Sequence, residues 1–162
     1  LFTAKLDDRD GVGKICSRIG IDHGALVFGS EDDLLVLVTR ELNERPVDCV
    51  LIDEAQFLSK AQVDQLTKVV DEQNVPVLTY GIRTDFLGET FEGSRYLMAW
   101  ADEIKEIKAI CHCGKKATMN ARVDSTGKME TEGKQIEIGG NERYVSLCRS
   151  CFSRSDTGLG PS

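Results

Sequence analysis

Apolar positions fall into two regimes along the 162-residue chain. Up to residue 110 they come in short runs or at helical spacing, and from Cys111 onward they alternate with polar residues. Residues 34–42, Leu-Leu-Val-Leu-Val-Thr-Arg-Glu-Leu, read as a helix despite their β-branched content. Ser30 can cap it, Asp32 and Asp33 favour its first turn, and Pro46 stops it. Residues 47–52, Val-Asp-Cys-Val-Leu-Ile, form a short apolar run that ends at Asp53-Glu54, the pattern of a parallel strand buried on both faces, with Cys49 as a small buried hydrophobe. Ser59 then opens a helix whose Val63, Leu66, Val69 and Val70 recur at spacings of three and four, and Asn74 with Pro76 closes it. A second buried strand is predicted over 75–80, completing a right-handed βαβ unit. A helix over 95–101 should carry Met98 and Trp100 on its core side, and a third strand should run through 103–110. Leu1-Phe2-Thr3-Ala4 reads as the end of a strand whose start is missing.

Beyond residue 110 the alternation of 117–123, the turn Ser125-Thr126-Gly127 and the apolar pair Ile136 and Ile138 predict a β-rich insert. It lies between two close cysteine pairs, Cys111-His112-Cys113 and Cys148-Arg149-Ser150-Cys151. Two tight turns that each present two sulfurs match a tetrahedral zinc site, and Gly114 supplies the backbone freedom such a turn needs. Three readings stay open: a four-thiolate structural zinc, a site that uses His112 as a ligand, or disulfides and free thiols. The division is therefore a core over 1–110, a zinc-ribbon-like domain over 111–152 and a disordered tail over 153–162.

Composition narrows the function classes. Twenty Lys and Arg against 27 Asp and Glu leave a net charge of −7, and 41% of residues are hydrophobic, a globular balance. A duplex-DNA binder needs a basic stripe to displace counterions, and the longest basic run is Lys115-Lys116. No segment has the apolar length of a membrane span and the N-terminus has no leader pattern, so the expectation is a cytoplasmic protein with no nucleic-acid or membrane partner.

The candidate chemistry sits where open α/β sheets keep ligands, at the carboxyl end of a buried strand. Asp53 fits the second acidic motif of P-loop nucleotide enzymes, a carboxylate that holds Mg²⁺, and Glu54 is placed to take a proton from a hydroxyl. Two solvated carboxylates at a strand end would look the same. Gly11-Val12-Gly13-Lys14 lacks the first glycine and the final Ser or Thr of a P-loop, so it reads as a glycine loop without phosphate, and a P-loop would have to precede Leu1. His23 reads as solvated, and Arg83 and Arg95 either meet phosphate, are solvated or form ion pairs.

Together, Asp53-Glu54-Ala55-Gln56-Phe57, Tyr80-Gly81-Ile82-Arg83-Thr84-Asp85-Phe86, and Ile138-Gly139-Gly140-Asn141-Glu142-Arg143-Tyr144 between the cysteine pairs resemble the zinc-containing (type II) thymidine kinases in their gammaproteobacterial form. The resemblance runs from Leu1 to about Phe152. It implies a P-loop-type α/β parallel sheet, with the N-terminal strand and P-loop missing from this chain and activity dependent on them, joined to a small zinc-ribbon-like lasso domain. It further implies transfer of the γ-phosphoryl of ATP to the 5′-hydroxyl of thymidine. Glu54 would be the general base. Asp7, Asp8, Arg9, Asp53, Glu54, Ala55 and Gln56 would meet ATP and Mg²⁺. Phe57, Phe86 and Phe91 would wall the thymine base, and Gln135, Ile136, Glu137, Ile138, Gly139 and Tyr144 would form the lasso that closes on thymidine. Zinc would be held by Cys111, Cys113, Cys148 and Cys151. A homotetramer inhibited by thymidine triphosphate belongs to the same expectation. Its rivals are a P-loop ATPase fragment that uses Glu54 to activate water, and a zinc-ribbon module that binds nucleic acid or protein.

Overall fold

The computed structural model describes residues 1–5, 14–16, 22–135 and 144–159, at 14–16 and 22–23 the backbone alone. Two compact units divide the chain, Leu1–Arg83 with Phe91–Ala101, and Thr84–Thr90 with Asp102–Ser162. The boundary read from the sequence at 110 therefore falls inside the second unit. Residues 84–90 belong there because Asn120 donates to the Thr84 carbonyl (3.3 Å) and Phe86 packs under Arg122.

The first unit contains β1 (Phe2–Ala4), β2 (Lys14–Cys16), β3 (Asp22–Gly24), β4 (Leu26–Phe28), α1 (Leu34–Glu44), β5 (Val50–Ile52), a 3₁₀ turn (Ala55–Phe57), α2 (Lys60–Gln73), β6 (Val77–Thr79) and α3 (Glu92–Trp100). A four-stranded parallel sheet runs in the order β4-β1-β5-β6, and β2 and β3 pair as a separate antiparallel ribbon. Phe2 sits in register with Leu26 on one side and Ile52 on the other, which makes β1 a central strand. Phe2, Ala4, Phe28, Val50 and Ile52 form one core with Leu34 and Val38 of α1 and Val63, Leu66 and Val69 of α2.

α2 forms as its sequence predicts. Ser59 and Gln62 make a reciprocal capping box, and Asn74 closes the helix in the left-handed region at φ 55°. Buried Gln62 also donates to the carbonyls of Gly29 (2.7 Å) and Asp32 (3.0 Å), so one side chain caps its own helix and fixes the entry to α1. The α1 cap is Asp33, whose carboxylate accepts the Val36 N–H at 3.0 Å, and not Ser30, which lies one turn too early.

Several expectations are corrected. β5 and β6 are each shorter than the apolar runs that announce them, and β6 is an edge strand with Leu78 exposed, because nothing pairs beyond it in this sheet among the described residues. Cys49 precedes β5 and is exposed. α3 begins three residues early, and Met98 and Trp100 are 38% and 40% exposed, because the helix docks by its N-terminal end. In the second unit the strand expected over 103–110 is reduced to β7 (Ala109–Ile110). Ile104, Ile107 and Ile110 recur every third residue, a spacing that puts no continuous apolar stripe on one face of a strand.

β7 forms a hairpin with β8 (Lys116–Ala117), and β9 (Met119–Arg122) pairs antiparallel with β10 (Tyr144–Leu147), which leads into α4 (Arg149–Ser153). The tail expected to be disordered is tied down at two points, although Leu159 itself is exposed. Thr157 is buried and donates to the Gly127 carbonyl at 2.7 Å, and His112 Nε2 approaches the Asp156 carbonyl at 3.1 Å. The glycine loop 11–13 and the side chains of Cys16 and His23 lie outside the described residues. Among the described residues no helix is long and apolar enough to cross a membrane.

Candidate functional site

In the first unit the site begins where β5 leaves the sheet. The Asp53 N–H makes the last sheet contact, to the Phe2 carbonyl at 2.9 Å, and Glu54 then turns into the left-handed region at φ 52°, ψ 39°. A side chain other than glycine rarely adopts that conformation, at a cost of about 1–2 kcal/mol. Flanking bonds impose it: the Ala55 N–H donates to the Tyr80 carbonyl at 2.8 Å, and the Glu54 N–H to Asp53 Oδ1 at 2.9 Å. The Glu54 carboxylate accepts from Gln56 Nε2. Gln56 is buried, and its Oε1 accepts the Ile82 N–H at 3.3 Å, which ties the turn after β5 to the loop after β6.

Two glycines make this knot possible. A Cβ at Gly81 would lie 2.7 Å from Gln56 Oε1, and one at Gly93 would lie 2.5 Å from the Ala55 carbonyl oxygen and 2.8 Å from those of Gln56 and Leu58. The first turn of α3 thus presses on the 3₁₀ turn that holds Gln56. Asp53 and Glu54 are both half-buried, while Ala55 and Gln56 are buried. Chemically, this is a carboxylate at a parallel-strand end beside a second one whose orientation is fixed by an amide. Phe57 and Phe91 meet edge to face, centroids 5.8 Å apart and planes at 83°. Arg95 lies over the Tyr96 ring at 4.8 Å and donates to its hydroxyl at 2.8 Å, a neutral partner on its own helix.

In the second unit the four paired cysteines converge. Cys111 opens the turn between β7 and β8, in which Gly114 adopts φ 82° and donates to the Cys111 carbonyl at 2.8 Å. Cys148 caps α4, its sulfur accepting the Cys151 N–H at 3.4 Å. The four sulfurs lie within 4.8 Å of one another, with Cys113 and Cys148 at 3.7 Å, and none of the four is in a disulfide. Four sulfurs arranged regularly about a zinc ion at about 2.3 Å would sit about 3.8 Å apart, so this donor set fits zinc. The thiols are electrostatically unequal. Burial raises Cys111, yet the N–H groups of Cys113 and Cys148 outweigh it and bring it down to about 6. Cys151 is pushed up to about 12 by burial and by the competing thiols around it. The N–H of Cys151 lowers Cys148. A dication would hold all four as thiolates.

Of the other sequence-derived candidates, Phe86 is fully buried in the second unit, with the Arg122 guanidinium 3.7 Å from its ring centroid. Gln135 donates to Asp85 Oδ2 at 2.8 Å. Tyr144, 38% exposed, starts β10 opposite Arg122. Asp7, Asp8, Arg9, Ile136, Glu137, Ile138 and Gly139 lie outside the described residues. Buried Arg122 and Asp85 were not singled out by sequence reasoning. A signal existed for Arg122, since the turn at 125–127 sets it across from Glu130, an opposite charge.

The family model described as thymidine kinase matches residues 1–152. The chain belongs to the thymidine kinase family. It is 56% identical to the thymidine kinase of Shewanella oneidensis over 152 residues, which cover 94% of this chain and 79% of that protein. The Vibrio cholerae thymidine kinase is 54% identical, with 96% and 81% covered, and that of Pasteurella multocida 53%, with 92% and 78% covered. The thymidine kinase resemblance read from the motifs is borne out, as is the mixed α/β architecture with its parallel sheet and zinc-competent cysteine cluster.

Proposed function

We propose that this chain transfers the γ-phosphoryl group of ATP to the 5′-hydroxyl of thymidine, yielding thymidine 5′-monophosphate and ADP. The observation that carries this reading is the family match over residues 1–152, with relatives named thymidine kinase at more than half identity. Glu54 takes the proton from the 5′-hydroxyl as that oxygen attacks the γ-phosphorus, and the bond from γ-phosphorus to the β,γ-bridging oxygen breaks, releasing ADP. Its amide-held carboxylate in a constrained turn supports the assignment, because a base must be aimed before its pKa matters. Asp53, half-buried with Oδ1 taken by the Glu54 N–H, is the residue that would hold Mg²⁺; bound there with ATP, the cation neutralises charge on the phosphates.

Asp7, Asp8, Arg9, Ala55 and Gln56 complete the nucleotide contacts in this proposal. The edge-to-face pair Phe57 and Phe91 and the ring of Phe86 serve the flat thymine base, and the segment 135–139 with Tyr144 binds thymidine through its main chain. A structural zinc on Cys111, Cys113, Cys148 and Cys151 anchors both ends of that segment and lowers the entropy lost in ordering it. With four protein ligands, it offers no position to substrate. A cytoplasmic homotetramer subject to feedback by thymidine triphosphate completes the proposal.

The test is Glu54→Gln in the protein expressed from its complete coding sequence. Loss of a general base is expected to lower kcat by about 10²- to 10⁴-fold. Thymidine affinity, measured by calorimetry, should stay within about threefold. Unchanged turnover would remove Glu54 as the base.

A further inference from the structure

We propose that Arg122 is a positioning residue for nucleoside recognition: it locks Phe86 and the 130–135 segment into one rigid group within the second unit. The inference rests on the thymidine kinase reading for what the group recognises, and on geometry alone for the locking. Arg122 is 2% exposed and is the largest of the fully buried side chains among the described residues. Burying a guanidinium in a small unit is costly unless its donors and its charge are met, and a flat cation suits that role because its fork and its face act at once.

One face and two nitrogens of this guanidinium are engaged. Its plane lies 3.7 Å from the Phe86 centroid, its Nε donates to Glu130 Oε2 at 2.5 Å, and its NH1 group donates to the Lys134 carbonyl at 3.1 Å. The backbone conforms around it. Gly133, at φ 137°, sits in a conformation other residues rarely adopt, and a Cβ there would come within 2.3 Å of the Arg122 NH2 group and so displace the guanidinium. The main chain clamps the same hairpin, with the Glu130 N–H donating to the Arg122 carbonyl at 2.8 Å.

A second tether closes the circuit. Gln135, next to Lys134, donates to Asp85, next to Phe86, at 2.8 Å. Asp85 is itself buried, and its other oxygen accepts the N–H groups of Leu87 and Glu89, both at 2.9 Å. The path from Arg122 through Lys134, Gln135, Asp85 and Phe86 back to Arg122 is therefore continuous. It joins two residues assigned to thymidine: Phe86 lies against Arg122, Gln135 donates to Asp85, and neither Arg122 nor Asp85 carries an assigned role. A shift of the guanidinium moves the ring and the segment together, which makes Arg122 a control on substrate geometry and not on chemistry.

The experiment is Arg122→Lys, with Glu130→Gln as a second variant that keeps the guanidinium and removes its counter-charge. Lysine keeps the charge but cannot lie on the ring while donating along two directions. Amide exchange over 130–135 is expected to accelerate in both variants, while the Cys151 and Phe152 amides keep their protection. Thymidine KM should rise by about 10- to 100-fold, the scale of an ångström-sized misplacement, while ATP KM stays within about twofold. Unchanged exchange over 130–135, or an unchanged thymidine KM in a folded variant, would overturn the proposal. So would a parallel fall in every parameter, which marks simple loss of stability. If Arg122→Lys does not fold, Glu130→Gln decides by the same readouts. A wild-type protein that neither binds nor phosphorylates thymidine would instead remove the proposed function, and the exchange measurement would still decide whether Arg122 locks the segment.

Discussion

The hold on the candidate base depends on glycine at two positions, and Gly93 is the one that meets backbone carbonyls alone. Gly93 lets the first turn of α3 reach the carbonyls of Ala55, Gln56 and Leu58, and those carbonyls belong to the turn that carries Gln56 to Glu54. Gly93→Ala is expected to lower stability by about 1–3 kcal/mol, the usual cost of forcing an atom into a packed contact. It should also lower kcat by loosening Gln56; a urea midpoint and turnover both equal to wild type would contradict that contact. At this scale the sequence exposed the chemistry but not its geometry. Asp53 and Glu54 were legible because an apolar run stops there. The left-handed Glu54 was not, because long-range bonds from Asp53 to Phe2 and from Ala55 to Tyr80 impose it and no local residue requires it.

Among the elements, those whose signals are local were the readable ones. α2 carries its own capping box and its own Asn74 stop, so its limits could be set from residues 59–74 alone. β4 was missed, since three apolar residues in a short run have no period to detect, and its place beside β1 comes from the sheet. The zinc-competent turns were read from spacing because metal ligation demands that spacing. Cys148→Ser tests them cleanly. Serine is itself a good helix cap, so the bond from the Cys151 N–H to residue 148 can survive while a thiolate ligand is lost. Metal analysis is expected to fall from about one zinc per chain to a small fraction of that, four thiolates being the full ligand set. Full zinc retention would contradict the site.

On the scale of the whole molecule, the net charge of −7 has to coexist with a polyphosphate substrate. The proposed solution is local, with Mg²⁺ on Asp53 and backbone amides facing the phosphates, so no basic surface is required. Each unit has its own core, one around the parallel sheet and one around the cysteines, with Ala117, Ala121 and Leu147 packed beside the sulfurs. Sequence reading assigned residues 84–90 to the first of these, and structure gives them to the second, because the contacts of Phe86 and Thr84 are with β9. The central claim is phosphoryl transfer to thymidine, as opposed to hydrolysis of ATP by a water activated at Glu54. Following γ-labelled ATP with thymidine present, using protein from the complete coding sequence, separates the two directly. The expected result is label in thymidine 5′-monophosphate, matched mole for mole by ADP and dependent on thymidine; label released as inorganic phosphate at the same rate with or without thymidine would contradict it.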